Sequence, residues 1–302
     1  MNFKPQIKVA ATYMRGGTSK GVFFRLQDLP AAAQNAGVFR DRLLQRIIGS
    51  PDPYAKHTDG MGGATSSTSK VVILSKSARD DHDVDYLFGQ VSIDTAFVDW
   101  SGNCGNLSAA VGPFAISNGL VKLDKIPQNG CATIKIWQSN IQKTIIAHVP
   151  IMDGMVQESG DFELDGVTFP AAEIPLEFID PADDSGDDAA GLFPSGNVVD
   201  TLDVPESLVA GGKLQVTLIN AGIPTIFVNA QSLGYSGKEL QDDINSDPQA
   251  LARFEALRAI GAVKMGLIKD VSEAVNRQHT PKIAIVAQPQ DYTASSSKAI
   301  KA

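Results

Sequence analysis

Cysteine is nearly missing from this chain. There are two in 302 residues, Cys104 and Cys131, and no CxxC pair. No disulfide framework is expected, and the reducing cytoplasm is the default compartment. Histidine is scarce as well. His57, His82, His148 and His279 lie far apart, without metal-ligand spacing, so they read as surface or core positions and no metal is expected. No Lys/Arg-rich run exists and the formal net charge is -8, which argues against a nucleic-acid partner. The longest apolar runs fall far short of a membrane span. The first residues, Met1-Asn2-Phe3-Lys4-Pro5, lack an apolar signal core. What is present is 43% hydrophobic content, ample for one large domain or two ordinary ones.

The most informative stretch is Asp99-Trp100-Ser101-Gly102-Asn103-Cys104-Gly105-Asn106-Leu107-Ser108-Ala109-Ala110. The alternation from Val91 to Val98 predicts a strand before it. Leu107 to Ile116 is small and apolar, and predicts a buried helix closed by Asn118-Gly119. The first turn of a helix offers unpaired N–H groups and a positive dipole end, which suit an anion. A cysteine placed there should have a lowered pKa. The plainer reading is a turn with a small buried thiol. The functional one is half of a site for a carboxylate-bearing substrate.

Upstream, Ile7 to Tyr13 predicts a strand, followed by the polar loop Met14-Arg15-Gly16-Gly17-Thr18-Ser19-Lys20-Gly21 and a strand from Val22 to Arg25. The loop lacks GxxxxGK[ST] spacing, so nucleotide binding is rejected. Arg15, Ser19 and Lys20 are candidates for carboxylate contact, with a tight surface turn as the alternative. A helix follows from Leu29-Pro30, with Val38, Leu43, Leu44, Ile47 and Ile48 near helical spacing and a stop at Gly49-Ser50-Pro51. Next comes a loop of small and hydroxyl residues, Asp59 to Ser69, ending on Lys70 against the apolar strand Val71 to Leu74. A solvated strand-end lysine is the plain reading. The glycines and hydroxyls beside it favour a polar pocket, where partial desolvation would suit Lys70 to base duty.

Strands are expected at Ala132 to Trp137 and Lys143 to Val149, with a strand-rich region from Gly154 to Phe178. The acidic run Asp180 to Asp188 reads as a linker. Beyond it the plan begins again. Leu214 to Val228 repeats the strand, Gly-bearing loop and strand of Val9 to Phe24; aligning Thr12 with Thr217 sets Gly17 on Gly222. A helix from Asp247 to Gly261 and a strand at Pro281 to Val286 complete the parallel, the latter matching Ser69 to Leu74. Two domains of one fold are inferred: a first lobe, residues 1–182, and a second, 183–302. The counterpart of Cys104 would fall past Ala302, so Thr293 to Ala302 is expected to open a further segment and the second lobe to be incomplete at its C-terminus.

These residues carry a family resemblance. MRGGTSKGVFF (14–24), DGMGGATSSTSKVVI (59–73), SGNCGNLSAAVGPFAI (101–116) and LINAGIPTIFV (218–228) resemble the PrpF family across essentially the whole chain. The resemblance implies an α+β, diaminopimelate-epimerase-like fold: two pseudo-repeated lobes, each a curved, mostly antiparallel sheet around a central helix, with the site between them. It implies a cofactor-independent 2-methylaconitate cis–trans isomerase of the methylcitrate route of propionate breakdown. The alternatives are a 4-oxalomesaconate tautomerase, a methylitaconate isomerase, or a non-catalytic accessory protein of an aconitase-like dehydratase. It places the family's lysine on Lys70 and its cysteine on Cys104. Substrate contacts would fall on Ser19, Ser66, Ser67, Thr68, Ser69, Asn103, Gly105 and Asn106, beside the Arg15 noted above. The expected ligand is a small tricarboxylate, and self-association as a homodimer stays open. Related racemases use one cysteine per lobe; Cys131 sits in strand context in the first lobe, which argues against a two-cysteine mechanism.

Overall fold

The structure is a computed structural model and describes residues 5–182, 191–294 and 297–302. Residues 183–188 of the acidic linker and residues 295–296 of the tail lie outside the described residues. The chain forms two compact units, Met1–Ile179 and Asp180–Ala302.

Unit 1 begins with a hairpin, β1 (Thr12–Gly16) and β2 (Ser19–Arg25). Their register, Gly16 opposite Ser19, leaves a two-residue turn. Much of the expected polar loop is therefore strand, because Gly17 at φ +48° makes the reversal almost alone. The short α1 (Ala31–Gln34) and then α2 (Val38–Ile48) follow. The latter ends on Gly49, whose left-handed backbone lets its N–H reach Gln45 O. Then come β3 (Lys70–Lys76), β4 (Val84–Val91), β5 (Val98–Asp99) and α3 (Gly105–Ser117). The strand expected from Val91 to Val98 is instead a tight reversal. Ser92 N–H donates to Phe97 O at 3.0 Å, and the Ser92 and Thr95 hydroxyls bond at 2.6 Å. Local hydroxyl bonding outcompetes the ladder there. The strands β6 (Gly130–Gln138), β7 (Lys143–Met152), β8 (Met155–Val156) and β9 (Leu176–Phe178) finish the unit. The region from Gly154 to Phe178 holds only β8, β9 and an isolated Phe162–Ala171 bridge; Pro170 and Pro175 remove ladder donors from the rest.

One nine-stranded sheet runs β1-β2-β3-β4-β6-β7-β8, with β5 on β4 and β9 on β7. The helix α3 touches β1 and β2 at one end of that order and β6, β7 and β8 at the other. A sheet that meets one helix at both margins must curl around it. That explains why α3 is buried on nearly every side, from Leu107 through Ala110, Val111 and Phe114 to Ile116. The opposite face of β2 and β3 is covered by α2, through Val22, Phe24, Leu44, Ile48, Val71 and Ile73.

Unit 2 contains β10 (Asp200–Asp203), β11 (Lys213–Asn220), β12 (Pro224–Asn229), α4 (Gln241–Asn245), α5 (Pro248–Lys264) and β13 (Lys282–Val286). A small hairpin, β14 (Tyr292–Thr293) with β15 (Ala299–Ile300), closes it. The sheet order is β10-β11-β12-β13. As in unit 1, an antiparallel hairpin is followed by a helical crossover to a parallel strand: β12 to β13 by way of α5, and β2 to β3 by way of α2. Asp247 caps α5, accepting from Gln249 and Ala250 N–H, with Pro248 at the first helical position. The helix on this sheet is the crossover helix. In connectivity it matches α2, not α3. No helix of the described residues is long and apolar enough to cross a membrane.

Candidate active site

Lys70 is the first residue of β3, and its side chain lies on the α3 face. Residues of the same parity, Val72 and Leu74, pack into the cluster that holds Leu107, Val111 and Phe114. Across the sheet Lys70 pairs with Gln90 on β4, and Gln90 pairs with Asp99 on β5. Directly opposed residues share a face. Lys70, Gln90 and Asp99 thus form one row over three strands. The Lys70 ammonium donates to Gln90 Oε1 at 3.1 Å and sits 5.5 Å from the centre of the Phe88 ring. It is 7% exposed, so these contacts replace most of its water.

Cys104 is the N-cap of α3. Its Sγ accepts from Leu107 N–H at 3.5 Å, and its carbonyl accepts from Ser108 N–H and Oγ. The Tyr86 hydroxyl also reaches Cys104 O, at 3.4 Å. Tyr86 and Phe88 alternate with Gln90 on β4. A single strand therefore supports the thiol-bearing residue at one end and the amine at the other, on one face. Burial pushes the Tyr86 phenol well above its ordinary range, and negative charge on Cys104 would push it further. Tyr86 is held as a neutral hydrogen-bond donor.

The head of α3 is locked to the β1–β2 hairpin. A Cβ on Gly16 would sit 2.5 Å from Asn106 O and 2.9 Å from Leu107 Cα, so only glycine permits this approach. Asn106 Nδ2 donates to Thr18 Oγ1 at 3.1 Å and to Ser19 Oγ at 3.5 Å. The hairpin is tied in turn to the hydroxyl-rich loop, where Lys20 N–H donates to Ser67 O at 2.9 Å. Gly105 and Asn106 contribute the first two N–H groups of the helix, which have no acceptor within it. Their dipole end faces the same region.

The expected contact residues divide in two. Ser19, Gly105 and Asn106 join the α3 head, with Asn103 buried just before it. Ser69 does not. It precedes Lys70, points to the other face, and its hydroxyl meets His57 Nδ1 at 3.4 Å. Arg15 pairs with Lys20 and shares a face with Val22, away from Ser19; its Nη1 donates to Gly17 O at 2.7 Å. Thr68 bonds Thr65 at 2.8 Å, Ser67 bonds Thr65 at 3.0 Å, and Ser66 presents its carbonyl to Gln90. At the hairpin tip a depression of about 740 Å³ is lined by Arg15, Thr18, Ser19, Lys20 and Thr68, and by the segment from Glu158 to Ala171. Neither Lys70 nor Cys104 lines it. A separate hollow of about 510 Å³, along Gly49 to Asp59, holds no expected site residue. Gln90, Thr18 and Tyr86 contact Lys70, Asn106 and Cys104 and were not among the expected residues. Cys131 is on β6, exposed, and both cysteines are free. Among the described residues no group of three or more His, Cys, Asp or Glu is placed to hold a metal ion.

With this geometry in view, similarity to known proteins becomes specific. The crystal structure of a methylitaconate Δ-isomerase matches with a TM-score of 0.67 at 37% identity, over 97% of this chain and 72% of that one. The fold is α+β and is shared with that isomerase. The chain belongs to the PrpF family, whose sequence model matches residues 6–302. The 2-methyl-aconitate isomerase of Shewanella oneidensis is 69% identical over 300 residues, covering 99% of this chain and 75% of the relative. The protein of the same name from Cupriavidus necator is 68% identical, over 100% of this chain and 75% of its own length.

Proposed function

We propose that this protein is a cofactor-independent isomerase that interconverts the trans and cis forms of 2-methylaconitate. The observation that carries the reading is one amine and one thiol: Lys70 opens β3 on the face that packs against α3, and Cys104 caps the first turn of that helix. Identity near 70% to two proteins named 2-methyl-aconitate isomerase favours this acid over methylitaconate, the acid of a relative at 37%. The two free cysteines support a reducing, cytoplasmic setting. Within that setting the reaction would serve propionate catabolism, next to an aconitase-like dehydratase.

Rotation about the substrate's double bond requires that bond to lose its double character. Removal of an allylic proton gives a carbanion delocalised over the former double bond and its carboxylate. The bond then rotates, and return of the proton fixes the new geometry. Lys70 takes and returns the proton. Cys104 serves as a second acid/base or positions the substrate. The N–H groups of Gly105 and Asn106 hold a carboxylate as charge builds on it, each worth about 2.7–4 kcal/mol when well aimed. The net charge of -8 does not oppose a tricarboxylate, because local donors set the potential at a site.

The test is turnover of 2-methyl-trans-aconitate by Lys70→Ala and Cys104→Ala. Loss of roughly 10²–10⁴-fold in Lys70→Ala is expected, and near-normal turnover would overturn the base assignment. Loss in Lys70→Ala but not in Cys104→Ala would leave the cysteine a positioning role. Stimulation of a dehydratase without turnover of free substrate would favour the accessory reading.

A further inference from the structure

We infer that Gln90 is a positioning residue that aims the Lys70 amine through a neutral acceptor. The inference rests on the reading of Lys70 as the base. Three hydrogen bonds carry it. Gln90 Nε2 donates to Ser66 O at 3.2 Å and to Ser69 O at 3.0 Å, which uses both of its hydrogens. Oε1 is thereby turned to Lys70 Nζ, at 3.1 Å. The reversed amide would set its NH₂ against the ammonium and its oxygen against two carbonyls. Its orientation therefore follows from the chain around it.

Both carbonyls belong to the loop that delivers Lys70. Loop, amide and amine form one connected unit, and the amine cannot shift without disturbing the loop. The chemical choice of an amide matters as well. A carboxylate at position 90 would form an ion pair and hold the proton on Lys70. An amide orients the amine with no opposing charge. Gln90 also separates Lys70 from Asp99 along the row Lys70–Gln90–Asp99. The Asp99 carboxylate accepts from Ser101 N–H at 2.8 Å. The titratable groups on this face in neighbouring elements are Asp99 on β5, Cys104 at the head of α3, and Tyr86 on β4.

The experiment compares the protein with Gln90→Glu, an isosteric change, and Gln90→Leu. The Lys70 amine is titrated by ¹³Cε NMR, its signal assigned by loss in Lys70→Arg, and pH profiles of kcat/KM are recorded with 2-methyl-trans-aconitate. In Gln90→Glu the Lys70 midpoint is expected to rise by about one pH unit or more, because a nearby carboxylate favours the ammonium. The acid limb of kcat/KM moves up with it. In Gln90→Leu the midpoint falls and kcat drops roughly 10–100-fold with little change in KM. A purely structural role would show in Gln90→Leu as a fall in kcat and a rise in KM together, with the midpoint in place. An unmoved midpoint in Gln90→Glu overturns the inference, whether or not Gln90→Leu folds. Full turnover in Lys70→Ala would instead overturn the base assignment, so the two failures are distinct.

Discussion

The two units start from the same plan and bury it differently. Unit 1 covers both faces of its sheet, α3 on one and α2 on the other. Along β3 every residue from Lys70 to Leu74 is buried. Unit 2 buries one face under α5, through Leu214, Val216, Leu218, Ile226, Val228 and Leu257. The other face of its central strands, with Thr217, Ile219, Thr225 and Phe227, stays half-buried, so β12 alternates where β3 does not. The shared strand–turn–strand–helix–strand order builds a scaffold in both. Among the described residues, only in unit 1 does a second helix, α3, present its first turn to the face that carries the strand-opening lysine. Fold repetition and site repetition are separate matters, and only unit 1 of this chain carries the amine and the thiol together.

The sharpest way to break that comparison is to remove the strand-opening lysine of each unit in turn. Lys282 opens β13 as Lys70 opens β3. Lys70→Ala is expected to reduce kcat/KM by two orders of magnitude or more, within roughly the 10²–10⁴-fold range of a positioned base. Lys282→Ala should stay within about twofold, since general-base catalysis requires contact with the proton removed. Equal losses in steady-state assays would erase the distinction between the units. Next in size are the two phenylalanines. Phe114 is fully packed inside the curl and Phe227 is half-buried. Phe114→Ala should cost about 3–5 kcal/mol in urea unfolding, and Phe227→Ala well under half of that. Smaller again are the hairpin glycines. Gly16→Ala should cost about 1–3 kcal/mol by overpacking against Asn106 and Leu107, and it should lower activity too. Gly222→Ala meets nothing closer than 3.6 Å and should cost about 1–2 kcal/mol through its φ of +88° alone, with activity retained.

The smallest effect is electrostatic and lies in unit 2. The Glu239 carboxylate accepts from Ser236 N–H and Oγ and from Gly237 N–H, at 2.8 to 2.9 Å, which lowers its pKa from 4.5 to about 2. The depressed value means these bonds stabilise the folded turn above pH 4.5 and are lost as pH falls through about 2. A ¹³C NMR titration of Glu239 should show its midpoint near 2, and a midpoint near 4.5 would mean the bonds do not persist in solution.

Much of this was legible in the sequence, and the residues show why. Small apolar residues behind Asn103-Cys104-Gly105 announced a buried helix with the cysteine at its head. Lys70 abutting Val71-Val72-Ile73-Leu74 announced an apolar strand with the lysine at its start, and the structure buries that run on both faces. Gln90 stayed hidden because the alternation of β4, with Val84, Tyr86 and Phe88 buried in turn, breaks at the buried Gly89, and nothing marks an amide just past that break as special. Ser69 and Arg15 are placed differently from the other expected contacts, for a reason that spacing along the chain hides. Neighbours along a strand face opposite ways, so a residue beside the lysine in sequence is turned from it in space. Ser69 went to His57, and Arg15 to the tip of its own hairpin.

The curl of the sheet around α3 has a mechanical result. A helix gripped by both margins of one sheet acts as a keystone: neither margin can peel back while it stays seated. A ligand that braces its first turn should therefore slow amide hydrogen exchange across β1, β2, β6 and β7 together. The far strands would report occupancy as clearly as the residues in contact with the ligand.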